Sequence, residues 1–254
     1  MHRTAPRLTR ILVCAAVPVL LAVSGCSSES GDSSGKDAKD TKDSQSSGGS
    51  GDSGGSGGPA PEEKKPEPVA AAKFPKLPSA CTSITSGTIG DLVPGVKSKK
   101  GTAGKTSDAL ARANCAWNGL DDKGVKGSQY RWLDVSLVRY DSEQALGLSG
   151  EQRAADAYAK EVAKTQATAG ARNKRESPAA GVGQEARAIG YELKKTGEDF
   201  TYATIVTRTE NVVITLTLNG TGYSGAKPPT ATSLMEGSVK AAKEAVASVA
   251  SANK

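Results

Sequence analysis

Histidine is all but missing from this sequence. The chain of 254 residues has one, His2, inside a segment that reads as a removable export signal. No imidazole is then left for acid–base catalysis, a Ser-His-Asp relay or metal binding. Cysteine is scarce as well. Cys14 and Cys26 fall in or at the end of that signal, which leaves Cys81 and Cys115, too few for a structural metal site. The apolar run from Ile11 to Val23 is too short for a membrane span of about 20 residues, and Pro18 interrupts it. Aromatic residues are absent before Phe74, and every Phe, Trp and Tyr lies from there on.

The first ten residues carry Arg3, Arg7 and Arg10 and no acid, and the apolar run after them ends in Val23-Ser24-Gly25-Cys26. That ending resembles the lipobox of bacterial lipoproteins, whose cysteine thiolate takes a diacylglyceryl group before cleavage makes it the first residue. Residues 1–25 therefore read as a lipoprotein signal peptide and Cys26 as the lipidation site. The anchor places the protein outside the cell, on the outer face of the cytoplasmic membrane. Two or more acyl chains suit stable anchoring, since each buried methylene contributes about 0.8 kcal/mol and one chain alone holds only marginally. Residues 26–73 read as a disordered tether, rich in Ser and Gly up to Gly58 and then in Pro, Glu, Lys and Ala, because such a composition cannot offset its ordering entropy. Charge divides at the same place: residues 27–73 hold 6 basic and 9 acidic side chains, whereas 74–254 hold 24 and 18.

Residues 74–254 suffice for one domain with a core of its own, so a monomer is expected that needs neither metal nor cofactor. Cys81 and Cys115 permit one intramolecular pairing in an oxidising compartment. Closing about 35 residues stabilises the folded state by roughly 3–4 kcal/mol in the chain-entropy model. A short helix is expected from Ile84 to Leu92, and a strand opening at Cys115-Ala116-Trp117. The strand Tyr130 to Tyr140 alternates Leu133, Val135 and Leu137 with Tyr130, Trp132, Asp134 and Ser136. Ser149-Gly150-Glu151-Gln152 is a capping-box start for a helix bearing Ala155, Tyr158 and Val162. Strands Glu185–Leu193, Phe200–Thr207 and Val212–Leu218 follow, joined by turns short enough only for antiparallel hairpins. A final helix presents Met235, Val239, Ala242, Val246 and Val249 as one stripe. The expectation is an α+β domain: an antiparallel sheet of about five strands, dry on one face, with the helices packed on that face.

With these residues in place the chain resembles the small actinobacterial lipoproteins that carry a two-cysteine domain of unknown function. The resemblance rests on Cys26, Cys81, Cys115-Ala116-Trp117, Gly181-Val182-Gly183-Gln184-Glu185-Ala186, and Arg208-Thr209-Glu210-Asn211-Val212-Val213. One position departs, Glu210, where the family's hairpin usually has glycine before the asparagine. The resemblance implies an antiparallel α+β domain without an established reaction, and ligand or partner binding as its role.

Two motifs fail on context. Gly181-x-Gly183-x-x-Ala186 fits a dinucleotide fingerprint, yet Glu176-Ser177-Pro178-Ala179-Ala180 before it is no buried parallel strand. Ser224-Gly225-Ala226-Lys227 matches a serine-nucleophile motif but runs straight into Pro228-Pro229 instead of a helix. The basic clusters Lys97, Lys99, Lys100 and Arg172, Lys174, Arg175 are candidate anion-binding residues if the fold joins them, for an envelope polymer, lipid or acidic protein. Nucleic acid is not expected, since no aromatic interleaves with the lysines. Tyr130, Trp132 and Tyr223 read as packing residues rather than a binding platform. The expected function is non-catalytic binding in the cell envelope. The alternative is a histidine-free hydrolase or transferase working through carboxylates such as Asp121, Asp122 or Asp134. If the lipobox reading is right, Cys26→Ala moves the protein from the membrane fraction into the culture medium, measured by immunoblot of the two fractions; retention of processed mutant in membranes contradicts it.

Overall fold

The computed structural model describes residues 68–254; the signal, Cys26 and most of the tether lie outside the described residues. The described chain forms α1 (Ser86–Leu92), β1 (Thr102–Ala103), β2 (Arg112–Asp122), β3 (Ser128–Arg139), α2 (Gly150–Gln166), β4 (Arg172–Pro178), β5 (Glu185–Lys195), β6 (Glu198–Thr209), β7 (Val212–Tyr223) and α3 (Ala231–Ser251), with short 3-10 turns between. All seven strands join one antiparallel sheet in the order β1-β2-β3-β7-β6-β5-β4. The sequence expectation of about five strands misses β1 and β4. β1 is two residues long, and every residue of β4 is exposed, so neither shows an apolar alternation. Both are edge strands. The charges of β4, Arg172-Asn173-Lys174-Arg175-Glu176, are of the kind that keep an edge from pairing with another chain.

One sheet face is the main core. Leu133, Val135 and Leu137 of β3 lie beside Ile214, Leu216 and Leu218 of β7 and Ala203 and Ile205 of β6, all nearly inaccessible. α3 covers this face. Its innermost row is Leu234, Ser238, Ala241, Ala245 and Val249, with Ala242 beside it, and Met235, Val239 and Val246 half-buried at the flank. Small residues in that row bring the helix close, and the Ser238 hydroxyl lies 3.4 Å from the Ala203 carbonyl. Toward β2 the cover passes to Ile84, Ile89 and Val93. There the Cys81–Cys115 disulfide is formed, and the Trp117 indole donates to the Lys99 carbonyl at 3.1 Å.

The helices do not share one face, which corrects the sequence expectation. α2 lies on the opposite side, where Ala154 and Tyr158 meet Val206 and Val213. Val206 follows Ile205 and Val213 precedes Ile214, so within each pair the side chains point to opposite faces. β6 is buried along both faces, and such a strand needs a helix on each. The capping box of α2 forms as the sequence suggests, Ser149 accepting from the Gln152 N–H and Gln152 from the Ser149 N–H.

The incoming chain is tied down ahead of Phe74, where the sequence places the domain boundary. Val69 bonds Gln144, Ala70 accepts from the Ser142 hydroxyl, and Lys73 reaches Glu210 at 2.6 Å. The knot centres on the fully buried Asn211. Its side chain accepts from the Phe74 N–H (2.8 Å) and donates to the carbonyls of Phe74 (3.0 Å) and Tyr140 (2.9 Å). Gly150 sits beneath it, and a Cβ there would lie 2.5 Å from the Tyr140 carbonyl oxygen and 2.7 Å from Ala72. Glu210 takes the positive φ, +53°, that glycine would adopt freely, with its N–H bonded to Gln184 at 2.6 Å. The departure at this position is thus absorbed by ties to the glutamate.

Two expectations follow. Asn211→Ala leaves three buried backbone groups without partners and lowers stability by about 3 kcal/mol or more, read by urea unfolding; a loss within about 0.5 kcal/mol removes Asn211 from this role. The Glu210 carboxyl is held below its ordinary value by the hydrogen bond from Lys73 and then by the charge of that ammonium. A lowered carboxyl adds stability above its unfolded value and loses it as pH falls through the folded one. The difference in Tm between wild type and Lys73→Met, present at pH 7, therefore closes as pH falls below about 4.3.

Candidate functional site

The two basic clusters do not meet. Lys97, Lys99 and Lys100 occupy the exposed loop leading into β1, while Arg172, Lys174 and Arg175 lie on β4 at the other edge. Six strand spacings separate those edges, roughly 29 Å. A single anion-facing surface built from all six is therefore not formed. The β4 trio is itself divided. Asn173, at φ +51°, sits in a bulge between the pairs Arg172↔Glu192 and Arg175↔Gly190, which puts both arginines on the α3 face. Arg172 there pairs with Asp199 at 2.6 Å. Lys174 turns the other way and donates to the Gln166 carbonyl at 2.7 Å, where a cation suits the last turn of α2.

The carboxylates are also apart. Asp121 pairs with Lys123 at 3.1 Å, and its neighbour Asp122 accepts from the Gly124 N–H and the Ser128 hydroxyl, which lower its pKa in that order. Asp134 lies opposite Ala116, six residues along β2 from Asp122, or roughly 20 Å. Carboxyl pairs for glycoside hydrolysis stand about 5–10 Å apart. Asp122 and Asp134 do not form such a pair.

What the fold does create is a cleft of about 510 Å³ between the start of α3 and the β4–β5 edge. α3 lies over β6 and β7, and β4 and β5 extend past it. The floor is Ala188 and Gly190 on β5, where the missing side chain at Gly190 leaves the space open below Met235. Arg175 and Ser177 enter from β4, because residues paired across antiparallel strands share a face and these face Gly190 and Ala188. Glu192, held by the Asn173 amide at 2.8 Å, and Glu236 of α3 close the polar side. Arg175 is the one cation in this lining and Glu192 and Glu236 are acids on the same face, while the Glu176 carboxylate turns away to Gln166 and Arg187, so the mouth carries both signs. A purely anionic ligand is disfavoured. Sequence reasoning missed the cleft because its floor is defined by what β5 lacks, and its wall by a strand without apolar residues.

No family model matches this chain, and no curated protein matches it. Among solved structures, the crystal structure of LpqN, involved in cell envelope biogenesis of Mycobacterium tuberculosis, is similar over 48% of this chain at 17% identity with a TM-score of 0.27. The chain spans about 65% of the length of LpqN. A likeness at that level carries nothing further, and the fold stands on its own strands and their register. Among the described residues no helix is long and apolar enough to cross a membrane.

Proposed function

We propose that this chain is a lipid-anchored, extracytoplasmic binding module of the cell envelope that holds a small amphipathic ligand in the α3–β5 cleft. The cleft carries the reading. Its volume suits a small molecule, its floor of Ala188, Gly190 and Met235 is apolar, and polar groups from β4 (Arg175, Ser177), β5 (Glu192) and α3 (Glu236) stand around it, the combination by which pockets orient a ligand. The ligand class this favours has an apolar body and an uncharged or zwitterionic head. The setting is supported by the arginine-led signal, the Val23-Ser24-Gly25-Cys26 lipobox and a disulfide of the sort that oxidising compartments allow.

Gly190→Leu tests it. A Cβ at Gly190 meets only ordinary contacts, Met235 at 3.6 Å and the Tyr202 carbonyl at 3.7 Å, so the backbone accepts a side chain that then fills the floor. Lipidated wild type purified from membranes is expected to carry a small molecule detectable by untargeted mass spectrometry. Gly190→Leu is expected to lose it while its Tm stays within a few degrees. Ligand retained in the variant, or none in the wild type, overturns the proposal.

A further inference from the structure

The α3–β5 cleft holds charges of both signs that leave one another unused. On the neighbouring strands Arg172, Arg187 and Arg208 each meet an acid, Asp199, Glu176 and Glu185 in turn. Arg175 is the one arginine of β4–β7 without an ion pair among the described residues. The Glu192 carboxylate has the Asn173 amide alone. Lys240, one turn along α3 from Glu236, pairs with Asp91 instead, and Glu236 has no ion pair among the described residues.

The backbone aims the cation. Asn173 and Lys174 stand between the pairs Arg172↔Glu192 and Arg175↔Gly190, where an unbroken ladder has room for one residue. Without the bulge Lys174 would oppose Gly190, and Arg175 would oppose Ile189 on the α2 face. The extra residue, Asn173 at φ +51°, exchanges the two: Arg175 turns into the cleft and Lys174 reaches the end of α2. Bulges re-aim side chains in this way beside binding sites. The same Asn173 holds Glu192 through its side-chain amide, so one residue positions both an acid and the cation. Arg175 enters opposite Gly190 and Glu192 lies two residues along β5, so the opposite charges start about 7 Å apart. The floor beside them, Ala188, Gly190 and Met235, is apolar and short.

We infer that the cleft binds a di- or tripeptide with free ends and apolar side chains, its carboxylate on Arg175, its ammonium on Glu192 and Glu236, and a side chain over Gly190 below Met235. The inference rests on the cleft being a ligand site, as proposed above. Two or three residues in an extended chain span about 7–10 Å, which matches the spacing of the charges. The two charged groups of a single amino acid share one carbon and reach only one wall. A guanidinium meets a carboxylate with two parallel hydrogen bonds, and two carboxylates together accept the donors of an ammonium. Ser177 of β4 and Thr232 of α3 bring hydroxyls to the same lining for the peptide unit between the ends. A floor of three small or slender residues suits a side chain rather than an acyl chain.

The test titrates the detergent-solubilised full chain with dileucine and trileucine, followed by native mass spectrometry so that any molecule carried through purification is seen to leave as peptide arrives. At least one peptide is expected to bind. N-acetylation or C-amidation should each weaken it by about tenfold or more, the loss of one charge-assisted contact. Arg175→Met should weaken the free peptide by a like factor and leave its C-amide bound as in wild type, because the amide has no charge for Arg175 to meet. Glu192→Gln with Glu236→Gln should do the same at the other end, sparing the N-acetyl form. A short-chain phosphatidylethanolamine is the competing zwitterion. No binding of either peptide, equal affinity for free and blocked forms, a loss in Arg175→Met that the C-amide shares, or tighter binding of the phosphatidylethanolamine overturns the inference. A different co-purified molecule that Gly190→Leu still loses would then leave the cleft itself standing as a ligand site, whereas the absence of any bound molecule removes both.

Discussion

The amide of Asn211 is the constraint around which the rest is arranged. One side chain closes the β6–β7 turn against the end of β3 and against the chain arriving from the tether, three segments far apart in sequence. Because the amide is fully buried, it has no water to fall back on, so the three segments hold one geometry or lose several hydrogen bonds together. Gly150 belongs to the same knot: only a residue without a side chain lets the first turn of α2 fit beneath Ala72 and Asn211. The start of α2 is thereby fixed to the face opposite α3.

From that placement comes the difference between the two faces. α3 is long enough to seal β6 and β7 and to reach the near part of β5, and small residues along its inner row let it sit low. It leaves β4 and the outer side of β5 uncovered, which makes the cleft. α2, shorter and set on β6 and the start of β7 with a lighter contact to β5, leaves β2 and most of β3 without a helix on its own side among the described residues. The cleft is thus a consequence of a helix narrower than a seven-stranded sheet.

Much of this architecture was legible in the sequence, and the failures have physical causes. Tyr130 to Tyr140 and Val212 to Leu218 alternate cleanly because each has one dry face, and the Ser149 capping box marks its helix start by side-chain chemistry alone. β6 offers no such division, because Phe200, Tyr202 and Val206 alternate with Ala203 and Ile205 and both sets are apolar, the first covered by α2 and neighbouring rings and the second by α3. β4 gives no signal, since an edge strand of charged residues is held by backbone bonds that any sequence can make. Proximity of Lys97 to Arg175 could not be read from charge, for it depends on strand order. Asn118, Trp132 and Asn219 became neighbours only through register, although the alternation had already placed Trp132 on the less apolar face of β3.

The way the chain joins the domain has a mechanical consequence. A pull applied upstream of Pro68 meets the ties to Gln144, Ser142, Glu210 and Asn211 in succession, so they yield one at a time, like a zip, each carrying the full load in its turn. The next ties are the bonds between Lys76 and Asn253, and after them Cys81. There the peeling stops, because Cys81 is covalently bound to Cys115 in β2 and the force passes directly into the sheet. The disulfide therefore acts as a strain relief: extension of the leading segment can shed its outer contacts as a fuse would, while the strand carrying Trp117 and the adjoining core stay under a covalent stop.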